Sequence, residues 1–256
     1  ESLKDIPQPV TVLTRQYLDD RALPDLHEVL QNTPGVAVDY VDSERVTYFS
    51  RGHQIDSLQI DGLSINHSGS SFIQPDAAVL DRVEVLRGAS GMLRGAGQPS
   101  ATVNMVRKRP MDAYQLKFTA SAGSWDNYRQ ELDVTGPIAF DGKLRGRMVV
   151  ANTDRQYFVD NRSTEKPFVY GVLEADVTDD TMLTFGVRYN KAHENGTQNS
   201  VPRYVDGSDL KLPRHTGLTQ NWAYTDATGR EVFAKIDHKF NDDWQLNVSY
   251  TDLWDE

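Results

Sequence analysis

Leu80 to Pro110 reads L-D-R-V-E-V-L-R-G-A-S-G-M-L-R-G-A-G-Q-P-S-A-T-V-N-M-V-R-K-R-P, and this stretch decides the fold. A short β-run through Val83 and Val85 stops at Arg87-Gly88. A turn of helix is expected next, then a glycine-rich corner at Gly95, Gly97 and Pro99, then a second β-run through Thr102, Val103 and Met105. The runs are compact strands with alternating faces, and the glycines supply the positive φ that a tight reversal between them requires.

Upstream, the elements are short and mixed. Val10-Thr11-Val12-Leu13 alternates like a small strand. Leu26, Val29 and Leu30 stand at i, i+3 and i+4, a one-turn apolar face that ends at Asn32-Thr33-Pro34-Gly35. Val46 to Ser50 and Leu58 to Ile60 are further strands, the second closed by the turn pair Asp61-Gly62. Residues 1–110 therefore read as a small α+β domain.

Downstream of Pro110 the pattern turns repetitive. Leu116, Phe118, Ala120 and Ala122 alternate with polar residues; so do Val169 to Val177, Leu183 to Tyr189 and Trp244 to Tyr250. In each run one face suits lipid and the other suits water or a polar lumen. Tight connections are expected at Gly136 to Gly142, Asp179-Asp180 and Asn241 to Asp243, and longer ones at Asp154 to Lys166 and Glu194 to Gly229. Short turns on one rim and long loops on the other are how outer-membrane barrels are built; only Gly123-Ser124-Trp125 is short where a long loop is expected. A soluble β-sandwich would also alternate. Strands of about 10–12 residues, with aromatic ends at Tyr189, Phe240, Trp244 and Trp254, favour the barrel. Roughly seven strands fit between residues 111 and 256, and a barrel does not close on them, so the chain reads as a fragment.

Composition agrees. Mean hydropathy is −0.56, and no run of about 18 apolar residues exists to cross a bilayer as a helix. A barrel hides its lipid face at every second residue, so its averaged hydropathy stays polar. The chain has no cysteine, which excludes disulfides and thiolate sites. Glu1-Ser2-Leu3-Lys4-Asp5 reads as mature protein, without a signal peptide.

Several motifs together then resemble one family. Pro7 to Thr14, Leu30 to Val36, Tyr48 to Gly52 with Asp61-Gly62, and the Leu80 to Pro110 block resemble the TonB-dependent siderophore receptors along almost the whole chain. Asp42 to Arg45, Ser50 to Asp56, Pro99-Ser100-Ala101 and Gly123-Ser124-Trp125 are closest to the ferric-coprogen and ferripyoverdine branch. The resemblance implies a plug domain at 1–110 and the N-terminal part of a transmembrane antiparallel β-barrel at 111–256. The complete barrel would have about 22 strands and be filled by the plug. It implies a monomer, multi-pass in the bacterial outer membrane and surrounded by its lipid, that actively imports a ferric siderophore. Energy would come from the inner-membrane proton gradient through TonB with ExbB and ExbD, acting on a box upstream of Glu1. Receptors for another nutrient, such as cobalamin or a glycan, and siderophore-sensing signal transducers stay open as alternatives. A passive porin or adhesin would not need a plug.

The same resemblance assigns candidate residues. Arg51 and Arg87 match family positions whose guanidinium groups pair with barrel-wall glutamates, here expected on strands beyond this chain. Breaking such a pair when buried costs about 3–5 kcal/mol. Arg107, Lys108 and Arg109 are expected to face water. The chelate is expected at plug apices Val41 to Arg45 and Ser64 to Gln74 and at barrel loops. The candidate contacts are Arg45, Tyr48, His67, Phe72, Gln74, Arg203, Tyr204, Trp222 and Tyr224, aromatic faces and donors suited to a chelate's perimeter. The second apex lacks the arginine common in that branch, and Arg45 and His67 are the candidate substitutes.

Other chemistries fail on their residues. Gly95 to Ser100 imitates G-x-G-x-x-G but lacks the last glycine, and Pro99 would break the helix a pyrophosphate needs. His27-Glu28-Val29-Leu30-Gln31 puts Gln31 where a zinc site needs histidine. Six histidines lie scattered, and no nucleophile–base pair stands out, so neither an enzyme nor a resident metal or cofactor is expected; iron arrives inside its chelate. Nucleic acid is not an expected partner. The net charge is −10, and no aromatic residues interleave with the bases of 81–109.

Overall fold

The computed structural model describes residues 9–65, 74–88, 99–196 and 201–256. The chain divides into two compact units, Glu1–Lys108 and Arg109–Glu256. The first contains β1 (Val10–Thr14), α1 (Arg15–Asp20), α2 (Leu26–Gln31), β2 (Ala37–Tyr40), β3 (Val46–Ser50), β4 (His53–Gln54), β5 (Ser57–Ile60), β6 (Leu63–Ile65), β7 (Leu80–Arg87) and β8 (Ala101–Arg107). Five of its strands form a mixed sheet in the order β1-β7-β8-β5-β6, and β2-β3-β4 form a second. In the first sheet only β5 and β8 run parallel.

The decisive stretch pairs as its alternation requires. Val83 lies opposite Met105 and Val85 opposite Val103, and none of the four is more than 1% exposed. Complete burial of each such side chain stabilises by about 1.5–3 kcal/mol. The glycine-rich corner and the helical turn expected before it fall at 89–98, outside the described residues. Helix α2 begins at an Asp25 cap, whose carboxylate accepts from the Glu28 N–H at 2.9 Å. Its Leu26, Val29 and Leu30 are fully buried. It ends where Thr33 Oγ1 donates back to the Val29 carbonyl at 2.8 Å and Gly35 takes φ +79°. Helix α1, unforeseen in the sequence, is a single capped turn with the Tyr17 N–H donating to Thr14 Oγ1 at 3.3 Å.

Two basic residues expected in water are not there. Arg107 is 7% exposed, its Nε donating to Asp61 at 2.7 Å and its backbone N–H to the same carboxylate at 2.9 Å. Lys108 is 3% exposed. The Asp61-Gly62 turn, with φ +48° and +82°, brings its carboxylate onto the end of β8, so a turn residue becomes the arginine's counter-ion. Arg109 has an exposed side chain, but it too pairs, with Glu174 at 2.6 Å.

The second unit is one antiparallel sheet of seven strands. In chain order they are β9 (Gln115–Gly123), β10 (Asn127–Ala139), β11 (Leu144–Gln156), β12 (Ser163–Thr178), β13 (Thr181–Asn195), β14 (Tyr224–Lys239) and β15 (Gln245–Asp255), each paired with its sequence neighbour. One face carries exposed apolar side chains in register. Phe118 lies beside Leu132, then Val150, Val169 and Tyr189 on successive strands; Leu173 lies beside Phe185 and Ile236 beside Val248. Val169, Leu173 and Phe185 are 41%, 45% and 51% exposed, so the apolar side faces outward rather than into a core.

The opposite face is mixed. Phe168, Tyr170 and Phe233 are buried there, with Tyr170 stacked on Phe233 at 6.4 Å. Around them run ion pairs: Arg147 grips Asp133 through two bonds of 2.8 and 2.7 Å, Arg145 grips Asp176 at 2.7 and 3.1 Å, and Arg188 meets Glu231 at 2.9 Å. Asp133 and Glu231 are 3% and 1% exposed.

The connections correct the sequence reading in three places. Strand β10 continues through Gly136 to Ala139, so its turn with β11 is Phe140–Lys143 and does not start at Gly136. Strands β11 and β12 pair up to Gln156 opposite Ser163, leaving six residues of the expected 154–166 loop. Strand β14 begins at Tyr224 rather than after Gly229, so the expected 194–229 connection loses its last six residues to strand.

Candidate functional site

At the first apex, Val41 to Arg45 closes on one carboxylate. Asp42, 4% exposed, accepts from the Glu44 and Arg45 N–H groups at 2.9 and 2.7 Å and from the Arg45 guanidinium. Burial pushes its pKa up, but the two N–H donors and Arg45 outweigh that and hold it below the usual carboxylate range. Arg45 is thus engaged in shaping the apex. Exposed Tyr40 and Val41 stand beside the apex, with the Tyr40 hydroxyl 2.9 Å from His27 Nε2. The sequence reading passed over Tyr40, because β2 is too short for its alternation to register.

Tyr48 and Gln74 come together, the phenol donating to Gln74 Oε1 at 2.8 Å. Tyr48 is 3% exposed. Burial, with Asp25 and Tyr40 acting in the same sense, raises its pKa, so it stays a neutral donor. In this position it ties Gln74 down and presents no surface of its own. His67 and Phe72 lie outside the described residues.

Arg51 and Arg87 also converge. Arg51 does not end a strand but opens the two-residue β3–β4 turn, with φ +54° followed by Gly52 at +80°. A Cβ on Gly88 would sit 3.5 Å from Arg51 Nη1, so this guanidinium lies beside the residue that follows Arg87. Arg87, the last residue of β7, donates to the Pro34 carbonyl and to Thr11 Oγ1, each at 3.3 Å. Its buried Nε finds no acceptor among the described residues. Gly35 is needed at this point: a Cβ there would meet Arg87 Nη1 at 2.8 Å.

In the second unit, Arg203 and Tyr204 share a small local turn. Arg203 bridges Asp209 and donates to the Gly207 carbonyl at 3.3 Å, while Tyr204 is exposed. Trp222 is exposed just before β14. Tyr224 departs from expectation. It starts β14 with the parity of Val232 and Ile236, which places it on the apolar face, where its ring lies 5.3 Å from His193. The sequence reading missed a cluster at the same end of the sheet. The guanidinium groups of Arg155 and Arg162 lie 4.6 and 3.9 Å from the centre of the Tyr157 ring, and Arg214 lies 5.2 Å from that of Phe158. Its sequence signal is arginine on either side of an aromatic pair between two strands, R-Q-Y-F-V-D-N-R at 155–162.

Comparison with known proteins shows what the chain as a whole is similar to. Residues 2–102 match the TonB-dependent receptor plug domain. The chain is 42% identical over 254 residues to the ferric-pyoverdine M114 receptor PbuA of Pseudomonas sp. strain M114, covering 97% of this chain and 31% of that receptor. It is 38% identical over 249 residues to the ferripyoverdine receptor of Pseudomonas aeruginosa, covering 94% and 30%. The crystal structure of the outer-membrane ferripyoverdine receptor of that species, bound to ferripyoverdine, superposes with a TM-score of 0.91 at 38% identity, over 97% of this chain and 34% of that one. The chain thus spans about a third of the length of the curated relatives it matches. With the match at residues 2–102, a seven-stranded sheet that is apolar on one face, and relatives of this kind, the chain carries a TonB-dependent receptor plug domain and is homologous to the ferripyoverdine receptors.

Proposed function

We propose that this chain is the plug and the opening barrel strands of an outer-membrane receptor that imports a ferric siderophore of the pyoverdine class by a TonB-dependent mechanism. The observation that carries the proposal is the pairing of a plug domain with a sheet whose apolar face suits lipid and whose opposite face is laced with ion pairs. A passive pore has no use for the first, and a soluble domain has none for the second. Relatives named for ferric pyoverdines supply the substrate class. Iron is then cargo, wrapped in its chelate, and no catalytic step or resident cofactor is involved. TonB, with ExbB and ExbD, supplies the work, and a single copy suffices.

In this proposal the chelate meets exposed side chains of the loops, among them Tyr40, Tyr204 and Trp222, with the Arg155–Tyr157–Arg162 cluster offering cations beside an aromatic face. Arg51 and Arg87 hold the plug through acidic partners elsewhere in the receptor. The test is uptake of radiolabelled ferric pyoverdine by iron-starved cells carrying the intact receptor, with and without an uncoupler. Uptake abolished by the uncoupler is expected. Uptake that ignores the proton gradient would remove the energised mechanism, and energised growth on a chelate of another class alone would remove the substrate assignment.

A further inference from the structure

The apolar face is not uniform: near its short-turn end it is hollowed. Gly136 and Gly146 are direct partners across β10 and β11, and Gly171 on β12 lies opposite Met148. All three fall at apolar-face positions, so three neighbouring strands lack a side chain where the rest of the band has one. The result is a trough of about 440 Å³ walled by Tyr114, Ile138, Met148, Leu173, Phe185 and Val187.

The three glycines are not equivalent. A Cβ on Gly136 would meet the Tyr114 ring at 2.5 Å, and one on Gly146 would meet Ile138 Cδ1 at 2.6 Å, so neighbouring side chains already lie over these two. At Gly171 the nearest atom is Val187 Cγ2 at 3.8 Å, ordinary contact. The floor there is open, and the sequence has left it unfilled. Glycine inside a strand weakens the strand unless something approaches its backbone closely.

We propose that this trough holds one acyl chain of a phospholipid from the periplasmic leaflet as a fixed component of the receptor. Three features argue for this occupant. The trough is continuous with the band that faces lipid. It adjoins the Phe140–Lys143 turn, and short turns of such barrels lie on the periplasmic side. Its volume, about 440 Å³, is that of a small-molecule site, whereas a protein partner would need about 800 Å² of matched surface on each side. Lipid tails are as apolar as leucine, so transfer from bulk lipid contributes nothing. The selectivity comes from packing, because a chain lying along Gly171 gains contacts that a void forfeits. The proposal rests on the barrel assignment and is independent of the cargo.

The test uses the intact receptor reconstituted in vesicles of phosphatidylethanolamine and phosphatidylglycerol, re-extracted in detergent and weighed by native mass spectrometry. Wild type is expected to retain one phospholipid through washes that strip the rest. Gly171→Leu fills the open floor without a backbone clash and should retain at least tenfold less, with heat-modifiable gel mobility and ferric-chelate uptake unchanged. Gly171→Ala, which leaves most of the trough, should retain it. Equal retention by wild type and Gly171→Leu, or no retained phospholipid in wild type, overturns the proposal. So does a Gly171-dependent dimer, since the occupant would then be a second copy. Loss of uptake in a receptor that still binds its lipid would count against the cargo assignment alone.

Discussion

Asp133 shows what a single side chain contributes to this molecule. It is 3% exposed and receives two bonds from Arg147, whose side chain is 12% exposed. Two charges at such depth cost desolvation that only good geometry repays, so the pair need not stabilise relative to two apolar residues. Breaking it is another matter, because one charge is then left stranded. Asp133→Ala is expected to lower the unfolding free energy of the intact receptor by about 3–5 kcal/mol. The Asp133→Ala, Arg147→Ala double variant should recover more than half of that loss. Denaturant unfolding in vesicles checks both, and additive losses from the two changes would refute a coupled pair.

This scale was only partly legible in the sequence. Arg107 and Lys108 read as solvated bases because their surroundings include Asp61 and the Val79 carbonyl, distant in sequence, which no local pattern encodes. Tyr48 read as a surface contact for the same reason. Tyr224 could have been placed by counting in twos back from Ile236 and Val232, a signal that its loop position concealed.

Among elements, the strands were legible and their ends were not. A period of two survives only while one side must be apolar. Beyond the band, β11 to β14 continue with Asn152, Asp154, Glu165, Lys191, His193 and Asp226 on the same side, and the ladder outlasts the pattern that betrayed it. That is why loops were expected at 154–166 and 194–229 where hydrogen-bonded strand runs on. Turns were clearer, since Asp61-Gly62 and Asp179-Asp180 announce themselves chemically. Gly186 was invisible to this reasoning. It lies opposite Phe233, whose ring covers the glycine and stacks on Tyr170 one strand further along. Gly186→Ala is expected to push Phe233 off its stack and cost about 1–3 kcal/mol, the usual penalty of overpacking. The midpoint of thermal unfolding reads this directly, and an unshifted midpoint would show that the ring has room to move.

At the scale of the whole molecule, the change of pattern near Pro110 was legible because the two halves obey different periodicities, and the chain divides into compact units between Lys108 and Arg109. The proposed chelate contacts could be read from the sequence only as loop positions. Which side chains meet there depends on neighbours that sequence spacing does not reveal, as the Arg155–Tyr157–Arg162 cluster illustrates. The arginine pair belongs to this scale as well. Arg87→Ala removes a guanidinium that links β7 to Pro34 and Thr11. In the intact receptor it is expected to speed backbone hydrogen exchange at least tenfold across β3 to β8, with Arg51→Ala acting in the same direction. Unchanged exchange in both would defeat their role in holding the plug.

The anchoring of the peptide that starts the second unit has a mechanical consequence. Arg109 is bound to Glu174, its carbonyl accepts from Arg147 at 3.0 Å, the Met111 N–H donates to Thr135 Oγ1 at 2.9 Å, and Asp112 lies 3.4 Å from Arg145. These four moorings reach three strands. Tension that unravelled the chain from its amino end would therefore run out at Lys108 and be spread over β10, β11 and β12 as shear. At most about 3.3–3.6 Å is released per residue drawn out, and the strands themselves need not begin to peel.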